Sequence, residues 1–152
     1  MVYMIDIPNY KNMTSKTIVF DLNGTLAIDG IVNDEVKELL IKLSKKYNIV
    51  VITADTYGTL RNEFKEYDYT IEIIKNTEEK GEKAQKYSPY IAIGNGNNDI
   101  EMFKNSELSV AIIGKEGCNG KLLLHSDIVV HNIVDAINLF LNENRLIATL
   151  RK

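Results

Sequence analysis

The chain has 152 residues, 45% of them hydrophobic and 26% charged, with a net charge of −3 and a pI of about 5.4. That length suits one domain with its own core, and the acidic balance excludes bulk attraction to nucleic acid or an anionic membrane. The lone cysteine, Cys118, excludes an internal disulfide framework and, with no signal-peptide pattern in MVYMIDIPNYKN and no apolar run near ~20 residues, points to a soluble cytoplasmic protein.

In chain order, VYMIDI (2–7) reads as a short strand closed by Pro8, and the turn-like NYKN predicts a hairpin. KTIVF (16–20) is β-branched and aromatic, a buried strand. Asn33-Asp34 starts a helix with Val36, Leu39, Leu40 and Leu43 at helical spacing. NIVVIT (48–53) is the next buried strand, and 57–66 a short amphipathic helix. After the strand YTIEII (69–74), Thr77 is placed to cap a charged helix to about Tyr87, which Gly81 weakens. Ser88-Pro89 precedes the strand YIAI (90–93), the loop GNGNND and a short helix with Ile100, Met102 and Phe103. LSVAII (108–113) is a strand, GKEGCNG a loop, KLLLHS a helical turn and DIVV (127–130) a short strand. Residues 133–150 are amphipathic, with Ile133, Ile137, Phe140 and Leu141 on one face.

Strands alternate with helices, and several strands are unbroken apolar runs. That pattern predicts a mostly parallel sheet covered on both faces, a three-layer α/β/α arrangement preceded by an N-terminal hairpin. Ligands of such sheets lie at the carboxyl ends of the strands. The residues there are Asp21, Thr53, the loop from Gly94 to Asp99, and a lysine after the third strand of the series. Together they offer a nucleophile, a hydroxyl, a cation and a metal-binding carboxylate.

DLNGTLA resembles the first motif of the haloacid dehalogenase superfamily, Asp-x-Asp-Gly-Thr. VVITADT is similar to the second motif, Lys80 in TEEK to the third, and IGNGNNDIEMF to the fourth, Gly-Asp-Gly-x-Asn-Asp. Each motif alone is weak, but four in order at strand ends or helix starts are specific. MFKNSELSVAIIG and LNENRLIATLRK further resemble the phosphorylation domain of P-type ATPases. The resemblance covers about 16–152 and is to the soluble, capless relatives: it implies one Rossmann-like hydrolase domain over 1–152.

The resemblance implies a phosphatase-like hydrolase in which Asp21 attacks phosphorus and forms an aspartyl-phosphate. It places Asn23 at the acid–base position, Thr53 and Lys80 on the phosphoryl oxygens, Gly24, Thr25, Ala54 and Asn98 around the substrate, and Mg²⁺ on Asp21, Asn23, Asn95 and Asp99. Lys83 competes with Lys80. Two departures stand out: Asn23 and Asn95 replace aspartates of the pattern. An amide neither protonates a leaving group nor activates water, help that is typically worth ~10²–10⁴ in rate. Activated phosphates are therefore the expected substrates, and Mg²⁺ affinity is expected to be weak. Asn23 and Asn95 both precede glycine, so deamidation is a hazard.

The alternative is a silenced phosphate-binding or regulatory protein that keeps the pocket. A third option, hydrolysis of a non-phosphate bond, follows from dehalogenases that lack the second aspartate. The short gaps between motifs leave no room for a cap, so the site is expected to be open, covered by a second copy or serving a large substrate. The expected partners are a phosphorylated small molecule or phosphoprotein, with no nucleic acid and no membrane. GKEGCNGK has one residue too many for a phosphate-binding loop and Leu122 where a hydroxyl is required. His125, His131 and Cys118 have no partner pattern.

Overall fold

The computed structural model describes residues 4–54, 63–64 and 66–152. Strands β1 (Ile5–Ile7) and β2 (Lys11–Met13) form the expected antiparallel hairpin, pairing Ile5 with Met13. The main sheet has six parallel strands: β3 (Thr17–Phe20), β4 (Asn48–Thr53), β5 (Thr70–Ile73), β6 (Tyr90–Gly94), β7 (Leu108–Ile112) and β8 (Ile128–Val130). Their order is β5-β4-β3-β6-β7-β8. The described helices are α1 (Asp34–Ser44), α2 (Thr77–Gln85), α3 (Ile100–Lys104), α4 (Gly120–Leu123), α5 (Ile133–Leu141) and α6 (Glu143–Leu150).

Alternation along each strand divides the apolar side chains between two cores. Ile18, Phe20, Ile49, Val51, Ile91 and Ile93 join Val36, Leu40, Ile137 and Phe140 on the α1–α5 face. Val19, Val50, Ile52, Tyr90 and Ala92 join Ala84, Met102, Phe103 and Leu122 on the α2–α4 face. Burial on both faces is why these strands read as continuous apolar runs. From β3 the chain first adds strands on one side and then returns to add β6 on the other. The carboxyl ends of β3 and β6 therefore flank the switch point where such sheets bind ligands.

One expectation needs correction and two gain detail. Thr77 is the first helical residue of α2 rather than its cap: Asn76, in extended conformation, accepts the Glu79 backbone N–H on its side chain. The amphipathic stretch 133–150 is two helices. It breaks at Asn142, whose backbone leaves the helical region, and Leu141 is only half-buried. Gly81, read as a helix weakness, is where α2 meets α3, since a Cβ there would come 2.8 Å from the Glu101 Cβ. The helix expected over 57–66 falls mostly outside the described residues, of which Glu63 and Phe64 are helical.

Candidate active site

β3 is fully buried up to Phe20, and Asp21 continues its ladder by donating its N–H to the Ile93 carbonyl at 2.9 Å. The chain then turns sharply. Thr25 and Ala27 both return their N–H groups to the Leu22 carbonyl, and Gly24 takes a φ of +81°. A Cβ on Gly24 would collide with the Asn95 side-chain amide, so glycine is required for both conformation and space. Next comes a tight hairpin in which Ile28 and Ile31 exchange backbone hydrogen bonds across Asp29 and Gly30, at φ 52° and 82°. Sequence reasoning missed this element. Its signal was Asp-Gly between two isoleucines, the positive-φ pair of a type I′ turn.

Lys80, wholly buried in the first turns of α2, reaches the end of β3 from the opposite face. Its ammonium lies 2.7 Å from Asp21 Oδ1 and 2.6 Å from Asp99 Oδ1. The competing Lys83 sits 3.9 Å from Glu72, so of the two lysines it is Lys80 that the fold brings beside Asp21. Asp99 is held from its other side as well, because Oδ2 accepts the N–H groups of Asn95 (3.1 Å) and Gly96 (3.0 Å). One cation thus serves two buried acids.

Burial, and next the negative Asp99, push the Asp21 carboxyl up to about 6, partly offset by Lys80. The two carboxylates lift the Lys80 ammonium above its usual value despite burial, so it stays charged.

Thr25 Oγ1 sits 3.3 Å from both Asp21 Oδ2 and Asn95 Oδ1. Asn95 Nδ2 donates to the Gly117 carbonyl at 3.1 Å, and its own carbonyl accepts from Asn119 N at 2.8 Å. Asn95 therefore ties together the Asp21 turn, its own loop and the 114–119 segment. Thr53 ends β4, the strand beside β3. The register pairs Phe20 with Val51, which sets Asp21 one step and Thr53 two steps beyond the last pair. Thr53 is buried and Ala54 exposed at that edge, while Asn98 is half-buried in the 97–99 turn.

For a metal, the donor chemistry fits a hard cation with few protein ligands. Asn23 Oδ1 is buried without a hydrogen-bond partner among the described residues. It lies two residues from Asp21, whose Oδ2 meets the Thr25 hydroxyl at a long 3.3 Å. The other predicted ligands, Asn95 and Asp99, already have protein partners. Among the described residues no group of three or more His, Cys, Asp or Glu gathers as a metal cluster. The deamidation hazard is small in the folded chain. Ring closure needs the following glycine nitrogen, and both are bonded: Gly24 N–H to the Ala27 carbonyl, Gly96 N–H to Asp99.

The haloacid dehalogenase-like hydrolase family matches residues 83–115. The uncharacterized protein MJ0073 of Methanocaldococcus jannaschii is 53% identical over 73 residues, 46% of this chain and 78% of that protein. The fold is shared with the 3-deoxy-D-manno-octulosonate 8-phosphate phosphatase of Moraxella catarrhalis, solved with magnesium, phosphate and KDO. The two are 19% identical with a TM-score of 0.63, over 90% of this chain and 94% of that one. It is shared too with the phosphoserine phosphatase of T. onnurineus, at 16% identity and a TM-score of 0.60, over 84% of this chain and 96% of that one. Among the described residues no helix is long and apolar enough to cross a membrane.

Proposed function

We propose that the chain is a haloacid dehalogenase-type hydrolase that cleaves phosphorylated compounds through a covalent intermediate on Asp21, a reading supported by the family match over 83–115 and the shared fold. The observation that carries this reading is the buried Asp21–Lys80–Asp99 array at the switch point. An ammonium fixed between two acids keeps its third N–H for an oxygen of an incoming phosphoryl group. It also keeps Asp21 ionised above about pH 6 despite burial. Positioning and charge neutralisation supply most of the catalysis in phosphoryl transfer.

Asp21 attacks phosphorus, the bond to the leaving oxygen breaks, and an acyl phosphate forms. The leaving oxygen takes its proton from solvent, because Asn23 has none to give. Water then attacks the phosphorus, inorganic phosphate departs and the Asp21 carboxylate is restored. Gly24 and Thr25 present the turn to the phosphoryl group, with Thr53, Ala54 and Asn98 completing its surroundings. Asp99 acts through Lys80, and Asn95 positions Thr25. Asp21 and Asn23 would hold a Mg²⁺, which when bound supplies further neutralisation of the phosphoryl charge. The support for Mg²⁺ is the oxygen donor set and the metal bound in the Moraxella relative of the same fold. We take the whole chain as one domain, its substrate as a phosphorylated small molecule or phosphoprotein, and the uncovered part of the site as a place for a second copy.

The test is turnover of acetyl phosphate and 4-nitrophenyl phosphate with Mg²⁺, against glycerol phosphate and against Asp21→Asn. The activated compounds should turn over, Asp21→Asn should be inert, and Asn23→Asp should raise glycerol phosphate hydrolysis by about 10²-fold or more. The amides at 23 and 95 favour a second reading, a silenced phosphate-binding protein. It would be established by a wild type that forms a beryllofluoride adduct on Asp21 without turnover. Absence of both turnover and adduct overturns the proposal.

A further inference from the structure

Beside the nucleophile turn, on the α1–α5 side, lies a cavity of about 640 Å³, within the range of small-molecule sites. Ile28, Ile31, Ile112, Ile113, Ile133 and Val134 supply its apolar walls, drawn from the Asp-Gly hairpin, the end of β7 and the start of α5. Ile31 and Ile113 are 65% and 44% exposed, so two large apolar side chains stand in water along one opening. Gly24 and Thr25 also line the cavity. Thr25 is the same residue whose Oγ1 lies 3.3 Å from Asp21 Oδ2, so one side chain separates the cavity from the nucleophile. No acid lines it. Its ionisable lining residues are Lys115 and His131, which leaves an anionic ester unopposed.

Resting on the reading of Asp21 above, we infer that this cavity receives the leaving group of the substrate and that the substrate class is phosphomonoesters of aryl alcohols. Two independent features select the same chemistry. The walls favour a flat apolar body over a sugar or an amino acid: Asn33 and Asn132, which also line the cavity, already spend their side-chain oxygens capping α1 and α5, so hydroxyl and charged groups would exchange their water for few partners. The amide at Asn23 demands a leaving oxygen that departs without a proton from the protein. A phenol ionises near ~10, whereas a poor leaving oxygen such as that of water does so near ~15.7. In the step, the phosphorus–oxygen bond breaks with its electron pair on the aryloxide. That oxygen is protonated by solvent, and the phosphoryl group stays on Asp21 until water removes it as inorganic phosphate.

The experiment compares 2-naphthyl phosphate with acetyl phosphate in wild type, Ile31→Glu and Ile113→Glu. Both residues are exposed enough for the variants to fold. The ratio of kcat/KM for the naphthyl ester over acetyl phosphate should fall by about 10-fold or more in each variant. An unmoved ratio overturns the inference. So does an Ile31→Glu protein that dissociates a dimer in sedimentation and leaves the ratio unchanged, since the cavity is then an interface. If neither compound turns over in wild type, the hydrolase reading fails, and the cavity is judged alone by fluorescence titration of Asp21→Asn with 2-naphthol. Saturable binding lost in Asp21→Asn/Ile113→Glu keeps the aryl site; no binding removes it.

Discussion

Two carboxylates at opposite edges of the same sheet are treated in opposite ways. Glu107, just before β7, receives four hydrogen bonds from neutral donors: Thr14 N (2.8 Å), Thr14 Oγ1 (3.0 Å), Ser15 N (3.0 Å) and Ser15 Oγ (2.9 Å). Lys11 bonds its carbonyl at 2.6 Å. Asp127 nearby is likewise met by Tyr10, Ser109 N and Ser109 Oγ. These acids latch the N-terminal hairpin to the sheet. Asp21 is buried more deeply, shares one lysine with a second acid and meets the Thr25 hydroxyl only at a long 3.3 Å. An acid whose lone pairs are all met is structural. One buried near a like charge has a raised pKa, the perturbation that clusters at functional sites.

The largest expected effect comes from Asp21→Asn, which should lower turnover by about 10³-fold or more. The same change should raise the melting midpoint at pH 7.5 by roughly 2–4 °C, as a gain of ~1 kcal/mol would in a chain of this size, because burial and Asp99 outweigh the pairing with Lys80 in raising the Asp21 pKa. A lower midpoint would show that Asp21 is also a latch and break the contrast. Glu107→Ala should do the reverse. It leaves four donors unmet and should cost about 2–3 kcal/mol in denaturant unfolding, with kcat of the folded enzyme unchanged.

Asn95→Asp sharpens the comparison. An acid at this position removes the donor to the Gly117 carbonyl and adds a charge near Asp99, so without metal it should destabilise the chain by about 1–2 kcal/mol. Saturating Mg²⁺ should raise its melting midpoint more than that of wild type. An equal shift in both would show that position 95 does not feel the cation.

The smallest effect is a titration. In metal-free protein, carboxyl ¹³C NMR of Asp21 should give a midpoint near 6, and Lys80→Met should move it higher. Since 6 lies above the ordinary value of 3.8, the folded state binds this proton more tightly than the unfolded chain. The group's contribution to stability is therefore complete below about pH 4 and is lost as the pH rises through 6. A midpoint near 4 would place Asp21 among the satisfied acids.

The four inner strands of the sheet were readable as apolar runs, since burial on both faces leaves polar residues little room inside them, and the partly exposed edge strands β5 and β8 were readable from their β-branched residues. Asp21 and Thr53 were readable too, because each sits where an apolar run stops. Asn76 was not readable as the cap of α2, because Thr77 beside it has the same capacity and only backbone geometry chooses between them. Nor was the break at Asn142, where the apolar spacing continues on both sides.

Local composition and periodicity, which act over a few residues, were enough to determine the strands, the alternating plan and the acid at the end of β3. The tertiary structure alone decided that Lys80 rather than Lys83 enters the site, that Gly81 is needed for helix contact and that Asn95 binds three segments together. Those outcomes depend on which surfaces meet across the sheet. Strand order and helix phase set such meetings through contacts far apart in the chain, and no short window of residues contains them.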